Sequence, residues 1–235
     1  AHPEAGEAQA ARFVEGGLLV MGTEAISFYD PAGRRSEVLW QGARAISSLV
    51  AGDGSAAVVQ ISDAGFEPAG FLHVDMASRR VTELALASME PGFAGPDHVL
   101  LWTLEGDSGS PPVAVAATVV SLHDGSATAL AVPEEGLNPG QFKAGPNGRR
   151  LWIRGGEGDS EWLLDLETGS LTRLPGSGFR GMAFSPDGSQ IVAAVSDGAD
   201  PSNWSLAVFD TAAPGQGTSL GVSCTSPSWV AARPD

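Results

Sequence analysis

The sequence predicts an all-β fold, a β-propeller, and three observations carry that expectation. A pattern of two short apolar strands around a polar turn recurs five times, the copies keep a spacing of 44 to 46 residues, and the composition favours strands and turns. The clearest copy is Trp162–Leu174, WLLDLETGSLTRL; the others are Ile26–Leu39, Phe71–Leu84, Val119–Leu130 and Leu206–Leu220. A fixed period of roughly 40 to 50 residues, with several strands inside each unit, is the sequence signature of propeller blades. Charged residues make up only 17 % of the chain, against 31 Gly and 16 Pro, which suits many short strands punctuated by turns and argues against a helical bundle.

Each copy closes its first strand on a marker residue: Asp30, Asp75, Asp165 and Asp210, with Ser121 in the third copy. A side-chain oxygen at that position accepts hydrogen bonds from the backbone N–H groups just after it, and a following Gly supplies positive φ, as Gly33 and Gly169 are placed to do. Each hairpin forms the outer half of a blade of four antiparallel strands, a to d, with a innermost.

Taken in order, RFVEGG at Arg12–Gly17 supplies the first a strand and its turn, followed by LLVMG, AISFYD and SEVLW. Turn signals then introduce the b strand of each later unit. They are AGDG at Ala51–Gly54, GPDH at Gly95–His98, AGPNG at Ala144–Gly148 and FSPDG at Phe184–Gly188. In SPDG, Pro fixes φ at the first turn position and Gly accepts the conformation that follows. The final segment, TSPSWVAARPD at Thr225–Asp235, reads as one more a strand running into a turn. The preferred reading is that this strand completes the first blade beside Leu18–Gly22, closing a ring of five blades without an open sheet edge. The alternative is a truncated six-bladed propeller. Residues 1–10 read as a flexible leader and residues 11–235 as a single propeller domain.

The repeat is similar to that of TolB-type propellers with WD40-like repeats, written around F-S-P-D-G and an apolar strand. Phe184–Gly188 match it fully, and the turns at Ala144, Gly95 and Ala51 are degenerate copies. The resemblance implies a propeller scaffold outside the cytoplasm, periplasmic, secreted or at the cell surface, and identifies fold better than function.

Six tryptophans fall in register. Trp102 and Trp152 lie in b strands, Trp162 and Trp204 at the start of c strands, Trp229 in the final a strand and Trp40 in the first d strand. Packing between neighbouring blades accounts for such rings, with an aromatic ligand platform as the sharper alternative. The single Cys224 excludes an internal disulfide and reads as a small buried apolar residue.

Net charge is −15, from thirteen Lys and Arg against twenty-eight Asp and Glu, which excludes the nucleic-acid backbone and anionic membranes as natural partners. No apolar run reaches the length of a membrane span. The string GDSGSP at Gly106–Pro111 is similar to the segment around the nucleophilic serine of trypsin-like proteases, and His73, Asp97 and Ser108 occur in triad order. A triad needs geometry and context, and His73 stands inside the strand FLHVD at a repeat position held by Phe28 in the first copy. GDSGSP is therefore expected in a loop of the third blade. The four histidines lack zinc spacing, and no P-loop or dinucleotide glycine pattern is present.

The informative feature is how charge divides between the connections. The b–c loops carry Glu24, then Asp63 and Glu67, Glu105 and Asp107, Glu157, Asp159 and Glu161, and finally Asp197 and Asp200, with no Lys or Arg among them. The opposite turns carry Arg34, Arg35, Arg79, Arg80, Arg149 and Arg150. Charge for solubility explains part of this pattern. The functional expectation is a non-enzymatic, monomeric binding module that takes a basic protein or peptide on Asp63, Glu67, Glu105, Asp107, Asp159, Glu161, Asp197 and Asp200. No cofactor is expected; Ca²⁺, which favours carboxylate oxygens, is the one metal entertained. The rival class is a hydrolase or lyase acting in the central funnel, for which no carboxylate pair is marked.

Overall fold

The computed structural model describes residues 8–223 except 31, 33–34, 43, 51–53, 64–67, 85, 87–88, 107–110, 157–159, 177 and 197–203. The described residues form strands and turns with no helix. Strands β1 (Ala8–Val14), β2 (Gly17–Gly22), β3 (Ala25–Asp30) and β4 (Arg35–Gln41) make one antiparallel sheet in that order. Strands β5 (Arg44–Val50), β6 (Ala56–Ser62), β7 (Pro68–Asp75) and β8 (Arg80–Leu84) repeat the pattern. Then follow β9 (Glu90–Ala94), β10 (His98–Glu105), β11 (Val113–Ser121) and β12 (Ala127–Leu130), and after them β13 (Leu137–Ala144), β14 (Arg150–Gly155), β15 (Glu161–Asp165) and β16 (Ser170–Arg173). These eight share one sheet, joined where Ala114 of β11 pairs with Leu137 of β13. The last sheet is β17 (Phe179–Phe184), β18 (Gln190–Ser196), β19 (Trp204–Asp210) and β20 (Gly217–Ser223).

The marker residues do the work expected of them. Asp30 accepts from the Ala32 amide at 2.8 Å, Asp75 from Ala77 and Ser78 at 2.9 and 3.0 Å, and Asp165 from Glu167 and Thr168 at 3.0 Å each. Asp210 accepts from Ala212 at 2.8 Å, and the Ser121 hydroxyl from His123 at 3.2 Å. The residue after the marker also repeats its role. The amides of Met76, Leu122, Leu166 and Thr211 donate to the carbonyls of Ser55, Asp97, Arg149 and Ser189, each just before or at the start of the second strand. Local turn chemistry thus sets the same register four times over.

One expectation is corrected. Strand β2 has β1 on one edge, with Phe13 opposite Leu18 and Ala8 opposite Gly22, and β3 on the other. Both hydrogen-bonding edges of Leu18–Gly22 are taken, so no place beside it is left for a C-terminal strand. Thr225–Asp235, with Trp229 and the neighbouring Cys224, lie outside the described residues. Strand β1 begins at Ala8, within the ten residues read as a leader.

The chain divides into two compact units, Ala1–Thr103 with Thr118–Thr128, and Leu104–Ala117 with Ala129–Asp235. In the first unit β6 is buried along its whole length, as its unbroken apolar run AAVVQIS requires. Successive side chains point to opposite faces of a strand, so Ala57, Val59 and Ile61 join Leu19, Met21, Ile26 and Phe28 in one core, while Ala56 and Val58 join Phe71, Val99, Leu101 and Val120 in another. Each large side chain so buried contributes about 1.5 to 3 kcal/mol. Trp40 packs against the first of these cores, and Trp102 is fully buried in β10. In the second unit the core is Leu163, Leu174, Phe179, Met182, Ile191, Ala193, Ala207 and Phe209, with Trp152 packed against it. The Phe179 and Phe209 rings meet at 6.0 Å, tilted by 41°.

Candidate binding face

In an antiparallel sheet of strand order a-b-c-d, the b–c connection lies at the end opposite the a–b and c–d turns. The observed strand bounds place Glu24 between β2 and β3, Asp63 and Glu67 between β6 and β7, and Asp107 between β10 and β11. Glu157 and Asp159 lie between β14 and β15, and Asp197 and Asp200 between β18 and β19. None of these connections contains a Lys or Arg. Six arginines fall at the other end: Arg34 between β3 and β4, Arg79 and Arg149 in turns, and Arg35, Arg80 and Arg150 as the first residues of β4, β8 and β14; Arg44, which opens β5, Arg154 near the end of β14 and Arg173, which closes β16, lie at the b–c end.

Among the candidate residues, Asp63 is exposed just past β6, and Glu105 is exposed as the last residue of β10. Glu67, Asp107, Asp159, Asp197 and Asp200 lie outside the described residues, as does Ser108; the GDSGSP string occupies the connection between β10 and β11.

Glu161 differs from the rest. It opens β15 two residues before the core residue Leu163, and strand alternation turns both side chains inward. The carboxylate has 0 % exposure and meets its cross-strand neighbour Arg154, whose Nε donates to Oε1 at 3.1 Å. Oε2 is buried without a hydrogen-bond partner, as is Nε1 of Trp152. Burial, opposed by the Arg154 guanidinium, pushes the Glu161 carboxyl up to about 7. Arg154 also donates from Nη2 to the Phe179 carbonyl at 3.2 Å, tying β14 to β17. Beside it, the Ser160 hydroxyl donates to Glu135 at 2.9 Å and accepts from Trp162 Nε1 at 3.1 Å. Glu161 is therefore a buried support under the β14–β15 connection and offers no carboxylate to the surface. The Arg154–Glu161 pair is not among the sequence expectations; its signal is the spacing of Trp152 and Arg154 on one side and Glu161 and Leu163 on the other, all on one face of the sheet.

Carboxylates in the turns have a separate, structural role. Turn hydrogen bonds from Ser78 hold Asp75 below the usual carboxylate range. Those from Ser126 hold Asp124 at about 2, and those from Ser185 and Ser189 hold Asp187 at about 2. Asp165, despite partial burial, is also lowered, by the Thr168 amide and by Arg150, whose Nε donates to it at 3.2 Å. His73 is a core residue, 4 % exposed, with Nε2 bonded to the Leu122 carbonyl at 2.8 Å, so it is not a base for a serine. Among the described residues, no group of three or more His, Cys, Asp or Glu is placed to hold a metal ion. Among them also, no helix is long and apolar enough to cross a membrane.

Comparison with solved structures finds similar chains, TolB proteins among them. The chain is similar to TolB from Acinetobacter baumannii, at 16 % identity and a TM-score of 0.38, over 90 % of this chain and 53 % of that one. It is also similar to a protein described as a TolB of Agrobacterium tumefaciens, at 14 % identity and a TM-score of 0.41, over 92 % and 80 % of the two chains. An oligogalacturonate lyase from Vibrio parahaemolyticus matches at 13 % identity and a TM-score of 0.45, over 95 % and 68 %. The chain thus spans about half the length of the Acinetobacter TolB. No protein-family model matches it, and no curated protein does.

Proposed function

We propose that this chain is a β-propeller of five four-stranded blades, β1–β4 through β17–β20, acting outside the cytoplasm as a non-enzymatic binding module. Its b–c ends take a basic protein or peptide. The observation that carries the reading is that every b–c connection holds at least one carboxylate and none holds a Lys or Arg. Segregation of one charge sign steers an oppositely charged partner and fixes its orientation more than it adds raw affinity. Glu161 supports the β14–β15 connection from below. No resident metal is part of the reading; heat released on titrating Ca²⁺ would add one.

Reversing Asp63, Asp107, Asp159 and Asp197 to Lys tests it, with an octa-arginine peptide as the probe in calorimetry at low and high salt. The expected result is binding by the native chain that weakens with salt, and loss of about tenfold or more in affinity in the reversed chain, with an unchanged circular dichroism spectrum. Equal affinity in the two chains contradicts the proposal.

A further inference from the structure

The arginine-bearing end of the first unit holds a polar cleft that the acidic-face reading does not use. Its first wall is the β7–β8 hairpin, where His73 pairs with Thr82 and Asp75 with Arg80 across the strands, all four on one face. Its second wall is the turn between β11 and β12, which supplies His123 and Asp124. The cleft encloses about 320 Å³, within the range of small-ligand sites.

The two walls are clamped together. His73 Nε2 bonds the Leu122 carbonyl at 2.8 Å, and Gly125, at φ +73°, lies so close that a Cβ there would stand 3.1 Å from the imidazole. The cleft is therefore preformed, and its charges are fixed. Asp75 Oδ1 accepts from the Ala77 and Ser78 amides at 2.9 and 3.0 Å and Asp124 Oδ1 from the Ser126 amide at 2.9 Å, and turn hydrogen bonds hold both carboxyls below the usual carboxylate range, so both carry negative charge. Arg80 is exposed and, among the described residues, its guanidinium makes no hydrogen bond or ion pair, although Asp75 is its cross-strand neighbour. Two anionic groups and one cationic group thus face one small space, beside a hydroxyl and an imidazole.

We propose that this cleft binds a free basic amino acid, of the lysine or arginine class. Such a molecule carries two cations for Asp75 and Asp124 and one carboxylate for Arg80, and its net charge of one balances the lining. The Arg80 fork suits a bidentate carboxylate, and the Thr82 hydroxyl and His123 ring add donors or acceptors at the rim. Preorganised walls reduce the ordering cost that otherwise weakens small-ligand binding.

Calorimetry on the whole chain with L-arginine, L-lysine, L-glutamate and methylguanidinium tests the assignment, repeated on R80Q and D124N. Asparagine in place of Asp124 retains an amide oxygen for the Ser126 N–H, so the turn persists, and thermal unfolding confirms that each variant folds. The expected result is binding of L-arginine and L-lysine, with affinity falling about tenfold in each variant, and weaker binding of methylguanidinium, which lacks the carboxylate. No heat from either basic amino acid up to about 10 mM, equal affinity in the variants, or a preference for L-glutamate overturns the proposal. Arg80 and Asp124 lie outside the b–c connections, so loss of affinity in R80Q and D124N assigns the heat to the cleft, and the two proposals fail separately.

Discussion

Replacing Glu161 by glutamine changes how stability depends on pH, and the size of the change follows from the buried pair. The carboxyl is raised from 4.5 to about 7 in the folded chain. Between those values the folded state holds a proton that the unfolded state has released, so stability contributed by this group is full below pH 4.5 and is lost as pH rises through about 7. At about 1.36 kcal/mol per pH unit, that window corresponds to about 3 kcal/mol. The glutamine side chain stays neutral throughout and fills the same volume, while Arg154 keeps its bond to the Phe179 carbonyl and its partial contact with water. Every other titrating group, including the marker aspartates, is common to both chains. Urea denaturation at about pH 5 and about pH 8 therefore gives a difference of differences. The native chain should lose about 3 kcal/mol more than E161Q between the two pH values. Parallel behaviour of the two chains would mean that Glu161 ionises like an exposed carboxylate, and the buried-support account would fall.

Three further outcomes follow from the turns. Arg79 adopts φ +58° in its turn, where Gly125 and Gly169 hold the corresponding places in later copies, and its guanidinium stacks 3.1 Å from the Phe28 ring centroid. R79A keeps the unfavourable backbone and loses the ring contact, so it should be less stable than R79G by about 1 kcal/mol in chemical denaturation; equal stability refutes the strain argument. D165A removes the acceptor for two turn amides and for Arg150 and should cost about 2 kcal/mol in the same assay, with D165N milder; no loss would show the marker to be dispensable. G125A meets both positive φ and the His73 ring and should lower stability by about 2 kcal/mol, whereas G215A, with open space around it, should be neutral within about 0.5 kcal/mol.

Much of the fold is legible in the sequence because its signals are local. The Asx turns at Asp30, Asp75, Asp165 and Asp210 depend on atoms within three residues of the marker, so a repeating pattern in the sequence becomes a repeating pattern of hydrogen bonds. The continuous apolar run in β6 likewise announces burial on both faces. His73 shares a repeat position with Phe28, which marks it as a core residue, and its bond to Leu122, 49 residues away, agrees. Glu161 reads as a surface carboxylate because it adjoins an acidic connection. Its parity with Leu163, two residues on, is the stronger signal, since alternation along a strand outweighs proximity to a loop. Closure beside Leu18–Gly22 fails for a different reason: the sequence supplies two candidate partners for that edge, and the nearer one, β1, is joined to β2 by only Glu15 and Gly16 and so pairs at lower loop-closure cost. Links between distant segments, such as Lys143 donating to the Met182 carbonyl at 2.7 Å, have no local signature at all.

Under the proposed function the b–c ends, and not the turns opposite them, receive a basic partner. Amide chemical-shift mapping of the isotope-labelled chain during titration with the octa-arginine peptide tests this most directly. Perturbations should concentrate in the connections after β2, β6, β10, β14 and β18, with the amides of the marker turns at Asp75, Asp165 and Asp210 unmoved. Perturbations concentrated at those marker turns, or none at saturating peptide, would contradict it.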